Sequence, residues 1–349
     1  MSDRNKLELK NTIQIAGTEI FCIRFSPDGK FLAASCSDGS VRVFNASNGT
    51  PAFHLNGGSE ASQTAITLKF RPITPSARTK NVFITSNSSG ILQQWHMTSA
   101  KILHSFREEG NIVNAIEYND EATKFITGGT DCAVRVYDEG ARSLIQTMTR
   151  SDPASGSESG HTGRIFSCKA VPGDEYMFLT GGWDDTVQIW DIRVGMSVRS
   201  FKGPHICGDS LDMCGNDILT GSWRTENQLE IWDYGSGQKI RDVPWSQSSS
   251  SSSFTQPFQS LKPNSVEVQP PVCMVYATQF SKEGGGRYAA AGGSNLNEVK
   301  LFDSENNYRV VGSVEDLSHG VFTLDFSADN KRFAIATADS NIKIYEISE

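Results

Sequence analysis

The chain has 349 residues and a formal net charge of −8 at neutral pH. Hydrophobic residues make up 38% of it, enough for a buried core, and the negative charge disfavours binding to nucleic-acid phosphates or anionic membranes. No apolar run approaches the ~18 residues of a membrane-spanning helix, and the N-terminal residues lack the apolar core of a signal peptide.

Seven cysteines are scattered along the chain, and no two of them form a C-x-x-C pair. An odd number at this spacing suits neither a disulfide framework nor a structural zinc site. We therefore expect reduced thiols in a cytoplasmic protein, with nuclear, ciliary or cytoskeletal association as further options.

One sequence pattern recurs seven times: a short apolar run, small residues, a polar turn, and alternating apolar positions that end in an aromatic residue. The clearest copies are FLAASCSDGSVRVFN (31–45), FITGGTDCAVRVYD (125–138), FLTGGWDDTVQIWD (178–191) and FAIATADSNIKIYE (333–346). The weaker copies are residues 83–96, 218–233 and 288–303. Repetition at this period indicates one structural unit used many times.

The predicted elements are strands throughout. A segment at 8–15, ELKNTIQI, alternates as a strand does and precedes the first unit. Each unit then reads as four short strands, a to d, separated by turns rich in Gly, Asn and Asp. The seven units span approximately residues 18–55, 64–106, 111–148, 161–201, 203–245, 272–314 and 319–347. Because a four-stranded sheet of this size leaves both faces uncovered, stacking around an axis is expected, as in a β-propeller.

The regular spacing is interrupted between units five and six. Residues 246–271 are rich in Ser and Pro and poor in apolar residues, so we expect them to be disordered in the free protein. The b–c turns of these two units, 222–228 and 293–299, are also longer than the others. In a propeller these turns and the d–a connections, including 149–160, leave from one face, which we call the top face. A partner site there is one explanation, and drift in unselected loops is the other.

The repeats resemble those of the WD-repeat family. The literal Trp-Asp pair occurs at 190–191 and 232–233, with looser forms at 137–138 and 302–303, and the fourth unit carries Gly160-His161. The resemblance implies an all-β fold: a single seven-bladed β-propeller of four-stranded antiparallel blades. The last unit ends after its third strand, so the resemblance implies that 8–15 closes the ring as its fourth strand.

The resemblance also implies a hydrogen-bonded chain of four side chains in the fourth blade: His161, Thr180, Asp184 and Trp190. A buried carboxylate needs donors, and an imidazole, a hydroxyl and an indole N–H can supply them. A His–Asp–Thr set could also suggest nucleophilic catalysis. We favour the structural interpretation, because parts of the set recur around the ring. Only the fourth blade has all four residues, so we expect it to be the stiffest.

Aromatic residues occupy two positions that the resemblance places at the mouth of the central channel. One is Trp183, which aligns with small residues in other units: Ser37, Ser88, Thr130 and Ala338. The other is a slot in strand a that holds Phe21, Phe166, Tyr276 and Phe322, and, in units three and two, Asn114 and Ile66. We interpret the four aromatics as a collar that receives a peptide side chain, with Trp183 as an anchor. Packing between blades is the alternative for both.

Charged residues are predicted on both faces. Arg224, Glu226 and Glu298 lie in the enlarged turns and are expected to supply rim charges that choose among partners rather than drive affinity. The loop 71–81, between strands a and b, lies on the opposite face and carries Arg71, Arg78 and Lys80.

These features favour a non-enzymatic scaffold or adaptor that docks proteins or peptides, within a multi-protein complex and as a monomeric propeller. A hydrolase or lyase built on a propeller is the alternative. The sequence shows no phosphate-binding loop, nucleophile elbow or zinc-ligand spacing, so we expect no catalytic residue, metal or cofactor. Weak nucleic-acid binding through 71–81 is a further alternative that the net charge disfavours.

Overall fold

The protein forms a ring of seven four-stranded antiparallel sheets, each of which is one blade. The structure is a computed structural model and describes residues 5–56, 63–75, 79–151, 159–245 and 272–348. The predicted insert at 246–271 lies outside the described residues, as does Arg78. The predicted seven-bladed all-β propeller is confirmed.

The strands are numbered in chain order, with β1 at Leu7–Gln14. Blade one contains β2 (Ile20–Phe25), β3 (Phe31–Cys36), β4 (Val41–Asn45) and β5 (Pro51–Leu55). Blade two contains β6 (Ala65–Phe70), β7 (Val82–Asn87), β8 (Ile91–His96) and β9 (Lys101–Arg107). Blade three contains β10 (Val113–Tyr118), β11 (Lys124–Gly129), β12 (Val134–Asp138) and β13 (Ser143–Met148). Blade four contains β14 (Ile165–Ala170), β15 (Met177–Gly182), β16 (Thr186–Asp191) and β17 (Met196–Lys202).

The remaining blades follow the same order. Blade five contains β18 (Leu211–Cys214), β19 (Asp217–Gly221), β20 (Leu229–Asp233) and β21 (Lys239–Asp242). Blade six contains β22 (Met274–Phe280), β23 (Tyr288–Ser294), β24 (Val299–Asp303) and β25 (Arg309–Val314). Blade seven contains β26 (Val321–Phe326), β27 (Arg332–Thr337) and β28 (Asn341–Ile347). The described part of the chain contains short 3-10 turns at Met97–Ser99 and Ser304–Asn306, and none of its helices has the length and apolar character of a membrane span.

The N-terminal strand closes the ring. β1 pairs antiparallel with β28, from Leu7 opposite Ile347 to Gln14 opposite Asn341, and so becomes the outer strand of blade seven. The predicted closure is therefore present. Joining the two ends of the chain in one sheet removes the unpaired edge that the last blade would otherwise expose.

Among the residues that the structure describes, the hydrophobic core is divided into seven clusters, and each lies between two neighbouring blades. One of them joins the last blade to the first, through Ala334 and Ile344 of blade seven and Ile23 and Phe25 of blade one. Each sheet thus buries both faces against its neighbours, which is the physical reason why isolated repeats would not be stable.

Candidate functional site

The residues of the predicted collar slot come together around one cavity on the top face. Phe21, Phe166, Tyr276 and Phe322, together with Ile66 and Asn114, line a cavity of about 320 Å³. In each of these six blades the slot lies at a β-bulge in strand a, where the pairing register with strand b shifts. A bulge changes the direction of a side chain, so residues that would otherwise alternate into the blade face the channel mouth.

The collar rings are partly exposed and contact one another. Phe21 and Phe322 are 39% and 38% exposed, and the rings of Tyr276 and Phe322 meet edge to face at 5.3 Å. Phe166 also packs against the core between blades four and five, so the alternative of inter-blade packing holds for part of that side chain. The collar is therefore an accessible aromatic surface with one member held by the core.

The fifth blade interrupts the collar. Its strand β18 begins only at Leu211, so this blade has no aromatic residue at a bulge of strand a. The segment Cys207-Gly208-Asp209 lines the cavity in its place. A Cβ on Gly208 would lie 2.4 Å from the carbonyl oxygen of Tyr276, so no larger residue fits there. The loop therefore runs directly against blade six and forms one side of the cavity.

The floor of the cavity is an ion pair that crosses the central channel. Arg24 of blade one, 8% exposed, bonds to the carboxylate of Asp209 of blade five. Arg24 also donates to the carbonyl of Ile23 at 2.7 Å, and Ser167 donates to Asp209 at 2.9 Å. Burial opposes ionisation of Asp209, but Arg24 and Lys169 hold its pKa below the ordinary value. Both residues of the pair line the cavity.

Below this floor further ion pairs join neighbouring blades, through residues in strand a or in the turn that follows it. Lys69 lies 2.6 Å from Glu117, Lys169 lies 3.3 Å from Asp212, and Lys282 lies 2.9 Å from Asp325. The carboxylates of Asp212 and Asp325 also accept backbone N–H groups from Phe280 and Phe25. Paired in this way, the channel charges hold neighbouring blades together and leave no excess of either sign among the residues named.

Trp183 projects from the b–c turn of blade four and is held on several sides. Its indole N–H donates to the Cys207 sulfur at 3.0 Å, and its ring lies 5.4 Å from Phe166 and stacks on His205 at 6.5 Å. The Arg164 guanidinium lies 5.1 Å from the same ring. The side chain nevertheless stays 45% exposed. Trp183 therefore packs on the next blade, as expected if it served inter-blade packing, and it still presents apolar surface to solvent.

The sequence alignment matched Trp183 only with small residues of other units, but a second tryptophan lies at the same position in blade five. Trp223 and Trp183 occupy equivalent positions in their blades, because the backbone N–H of each donates to a carbonyl of the preceding d–a connection. The acceptor is the carbonyl of Arg164 for Trp183 and that of His205 for Trp223. Trp223 is 37% exposed and its ring lies 5.9 Å from Tyr276. The longer turn at 222–228 obscured this alignment. The structure thus adds a second tryptophan to the aromatic surface.

Only one of the three predicted rim charges is an exposed, unpaired group. Glu226 is exposed, and it has no ion pair among the described residues. Arg224 is exposed, but its guanidinium lies 2.7 Å from the Asp185 carboxylate and donates to the carbonyl of Gly203. The prediction for Glu298 is wrong. Its side chain is buried, because it accepts a hydrogen bond from the Trp245 indole and pairs with Lys300 at 3.4 Å.

The basic loop on the opposite face offers less free charge than the sequence indicated. The Arg71 guanidinium lies 2.9 Å from the Glu139 carboxylate, and that carboxylate also bonds to Gln94. The Arg71 side chain is only 14% exposed. Lys80 is exposed. Because Arg71 serves to join blades two and three, the local basic patch proposed for nucleic acid loses one of its members.

The four predicted residues of blade four form a single hydrogen-bonded chain. The Trp190 indole N–H donates to the Thr180 hydroxyl at 2.7 Å. Nε2 of His161 lies 2.7 Å from that hydroxyl, and its Nδ1 lies 2.8 Å from the Asp184 carboxylate. A neutral imidazole with the proton on Nδ1 satisfies every member, since Thr180 then donates to Nε2. Thr180 and His161 are almost fully buried, so neither is open to a substrate.

The third blade contains a different network, which the sequence analysis missed. Glu108 is buried and accepts hydrogen bonds from the Thr127 hydroxyl at 2.6 Å, the Tyr137 hydroxyl at 2.9 Å and the Asn111 amide at 2.7 Å. Arg135 pairs with the same carboxylate at 3.0 Å. Glu108 lies in the connection before strand a, so no alignment of the b–c turns could reveal it. Blade four is therefore not the only blade with a filled buried network.

Comparison with known proteins agrees with this architecture. The sequence model of the family described as "WD domain, G-beta repeat" matches residues 9–45, 100–138, 155–191 and 310–346. Each match includes the three strands that end in the repeated aromatic residue. Four matches at the predicted spacing support the repeat assignment independently of the structure.

Similar curated proteins share low identity with the chain. Cilia- and flagella-associated protein 52 of Bos taurus is 21% identical over 62% of this chain and 32% of its own length. Guanine nucleotide-binding protein subunit beta of Zea mays is 22% identical over 44% of the chain and 41% of its own length. Cell division cycle 20.1, cofactor of APC complex, of Arabidopsis thaliana is 20% identical over 63% and 46%.

The chain spans less than half the length of each of these relatives. The likeness therefore concerns the repeats. The family's sequence model matches four of the repeats and the chain folds into a ring of seven four-stranded blades, so the chain contains WD40 repeats arranged as a seven-bladed β-propeller.

Proposed function

We propose that the protein is a non-enzymatic scaffold or adaptor that docks partner proteins or peptides on its top face. The observation that carries the proposal is the convergence of aromatic side chains from blades one, four, five, six and seven: four of them line one cavity, and the two tryptophans pack against two of these four. The aromatic residues are Phe21, Phe166, Trp183, Trp223, Tyr276 and Phe322. Partly exposed aromatic rings with few rotatable bonds are the side chains that dominate binding hot spots.

The fixed positions of these rings support docking of a protruding side chain. Trp183 is oriented by Phe166, His205 and the Cys207 sulfur, and Tyr276 is packed between Trp223 and Phe322. Rings that are already ordered lose little conformational freedom when a partner binds, so more of the contact energy appears as affinity. The cavity of about 320 Å³ is large enough for one side chain of a partner.

The wider setting belongs to the same proposal. The seven cysteines are all free thiols, which suits a reducing compartment such as the cytoplasm. The protein would act without a cofactor, as a monomeric propeller within a multi-protein complex. A fluorescent fusion and size-exclusion chromatography of the purified chain test location and oligomeric state.

A paired-variant pull-down tests the docking surface. The variant Trp183→Ala plus Phe166→Ala removes two contacting rings from the top face. We expect it to lose most of the partners that the wild-type protein retains from a lysate, by an affinity factor of about 10 or more, since hot-spot truncations cost about 2 kcal/mol or more. The measurement is quantitative mass spectrometry of the retained proteins.

The matched control removes apolar surface of similar exposure elsewhere. Leu144→Ala plus Ile145→Ala truncates two residues that are 48% and 46% exposed on the outer strand β13. This control should retain the partners. If the control loses them while the top-face variant keeps them, docking occurs on the rim of the ring. Circular dichroism melting curves verify that both variants are folded.

A further inference from the structure

The two faces of the propeller differ in the sign of their charges. Top-face loops contain no lysine in the described part of the chain, and their arginines are Arg150, Arg164 and Arg224. Arg164 is stacked on the Trp183 ring and Arg224 is paired with Asp185. The basic groups that could offset negative charge on this face are therefore few and largely engaged.

Acidic side chains on the same face are exposed and have no ion pair among the described residues. They are Glu19 before blade one, Glu226 in the b–c turn of blade five, and Glu315 and Asp316 before blade seven. These are positions in different loops, so the negative charge is distributed along the rim. Uncompensated charges of one sign produce a field that attracts oppositely charged ligands and repels others.

The opposite face has no such imbalance. Its turns carry exposed basic residues, such as Lys30, Lys80 and Lys331, alongside exposed acidic residues, such as Glu121 and Glu283. The excess negative charge of the chain, −8 in total, therefore lies mainly on the top face, where an approaching partner meets it. This is a difference between surfaces, which composition alone could not show.

The cavity itself does not call for a charged occupant. At its floor Arg24 and Asp209 already neutralise each other. The Arg24 Nε is buried without a hydrogen-bond partner in the described part of the chain, so the floor holds one donor that an oxygen of a ligand could satisfy. An uncharged side chain or a backbone carbonyl meets these conditions, whereas a second cation would compete with Arg24 for Asp209.

We infer that the top face binds a basic peptide segment in which one uncharged side chain enters the aromatic cavity and flanking Lys or Arg residues lie over the acidic rim. The inference rests on the proposed function, to which it adds the chemistry of the partner. Aromatic contacts supply the affinity, and the rim supplies selection by charge and a faster association.

The test begins with a displayed library of random peptides, each about 12 residues long, selected on the immobilised full-length chain. Enriched peptides are synthesised with a fluorophore and their binding is measured by anisotropy. We expect an apolar or uncharged residue flanked by Lys and Arg. Binding should weaken at least several-fold between about 50 and about 300 mM NaCl, because exposed charges are screened over about 10 Å or less.

Two charge-matched variants separate the rim from the overall charge. Glu19→Gln, Glu226→Gln and Glu315→Gln neutralise the top face, and we expect about tenfold weaker peptide binding. Glu121→Gln, Glu283→Gln and Glu305→Gln change the net charge by the same amount on the opposite face, and should leave binding unchanged. Equal effects of both variants would overturn the inference.

The remaining outcomes distinguish this inference from the proposed function. If the enriched peptides are acidic or uncharged but still lose binding to Trp183→Ala plus Phe166→Ala, the charge inference is wrong and top-face docking stands. If no peptide is enriched, or if the enriched peptides bind that variant as tightly as the wild type, both are overturned.

Discussion

Deleting residues 1–17 lowers the free energy of unfolding by about 5 kcal/mol or more, the largest effect we expect from any change considered. The deletion removes β1 and three buried side chains, Leu7, Ile13 and Ile15. Each aliphatic side chain contributes about 1.5–3 kcal/mol through burial. The deletion also exposes the edge of β28 and the core around Ile344 and Tyr345. A melting temperature at least about 10 °C lower is expected by circular dichroism.

Point variants on the same strand provide the control. Leu7→Ala plus Ile13→Ala should reproduce a large part of the loss, whereas Leu9→Ala, whose side chain is 50% exposed, should have little effect. If the deleted protein does not fold, a synthetic peptide of residues 5–17 should restore it, because the strand contributes only by pairing and packing. An unchanged melting temperature after the deletion would contradict closure by this strand.

Asp184→Ala is expected to reduce the free energy of unfolding by about 3 kcal/mol without direct loss of a binding contact. The carboxylate accepts from His161, from the backbone N–H of Thr162 and from the Thr186 hydroxyl, all at 2.8 Å. A buried group left without its partner costs about 1–3 kcal/mol. The measurement is urea denaturation at neutral pH, with the peptide-binding assay as a second readout.

Asp38→Ala is the matched control, because Asp38 occupies the same turn position in blade one with a side chain 38% exposed against 5% for Asp184. Its ion pair with Arg42 is exposed, so a loss of at most about 1 kcal/mol is expected. Equal losses for the two variants would show that burial of the network has no special importance. Loss of binding by Asp184→Ala at full stability would assign the residue to the docking surface.

The same carboxylate makes stability depend on acid. Burial opposes ionisation of Asp184, but hydrogen bonds from His161, Thr162 and Thr186 lower its pKa from 3.8 to about 2. Because the pKa in the folded state is depressed, the contribution is present above the unfolded value and is lost as the pH falls toward 2. The stability difference between the wild type and Asp184→Asn should therefore decrease between pH 4 and pH 2.

The fold could be predicted because its information is local and repeated. The alternating strands, the polar turns and the terminal aromatic residue recur in each unit, and one unit without a fourth strand indicated the closing role of 8–15. The His161–Trp190 chain could also be anticipated, because its members lie within 30 residues and in consecutive elements of one blade. Short-range pairing of this kind leaves a pattern in a single sequence.

The surface chemistry was decided by contacts between blades that are distant in sequence. Arg24 meets Asp209 across the channel, 185 positions away, and nothing in either segment indicates the other. Glu298 was expected at the rim, yet Trp245 and Lys300 bury it, while Trp223 was hidden by a longer turn. The sequence by itself determined the number and kind of blades, because strand and turn preferences act over a few residues. Only the tertiary structure decided which side chains face the cavity and which charges remain free, because closure of the ring brings residues from separate blades into contact.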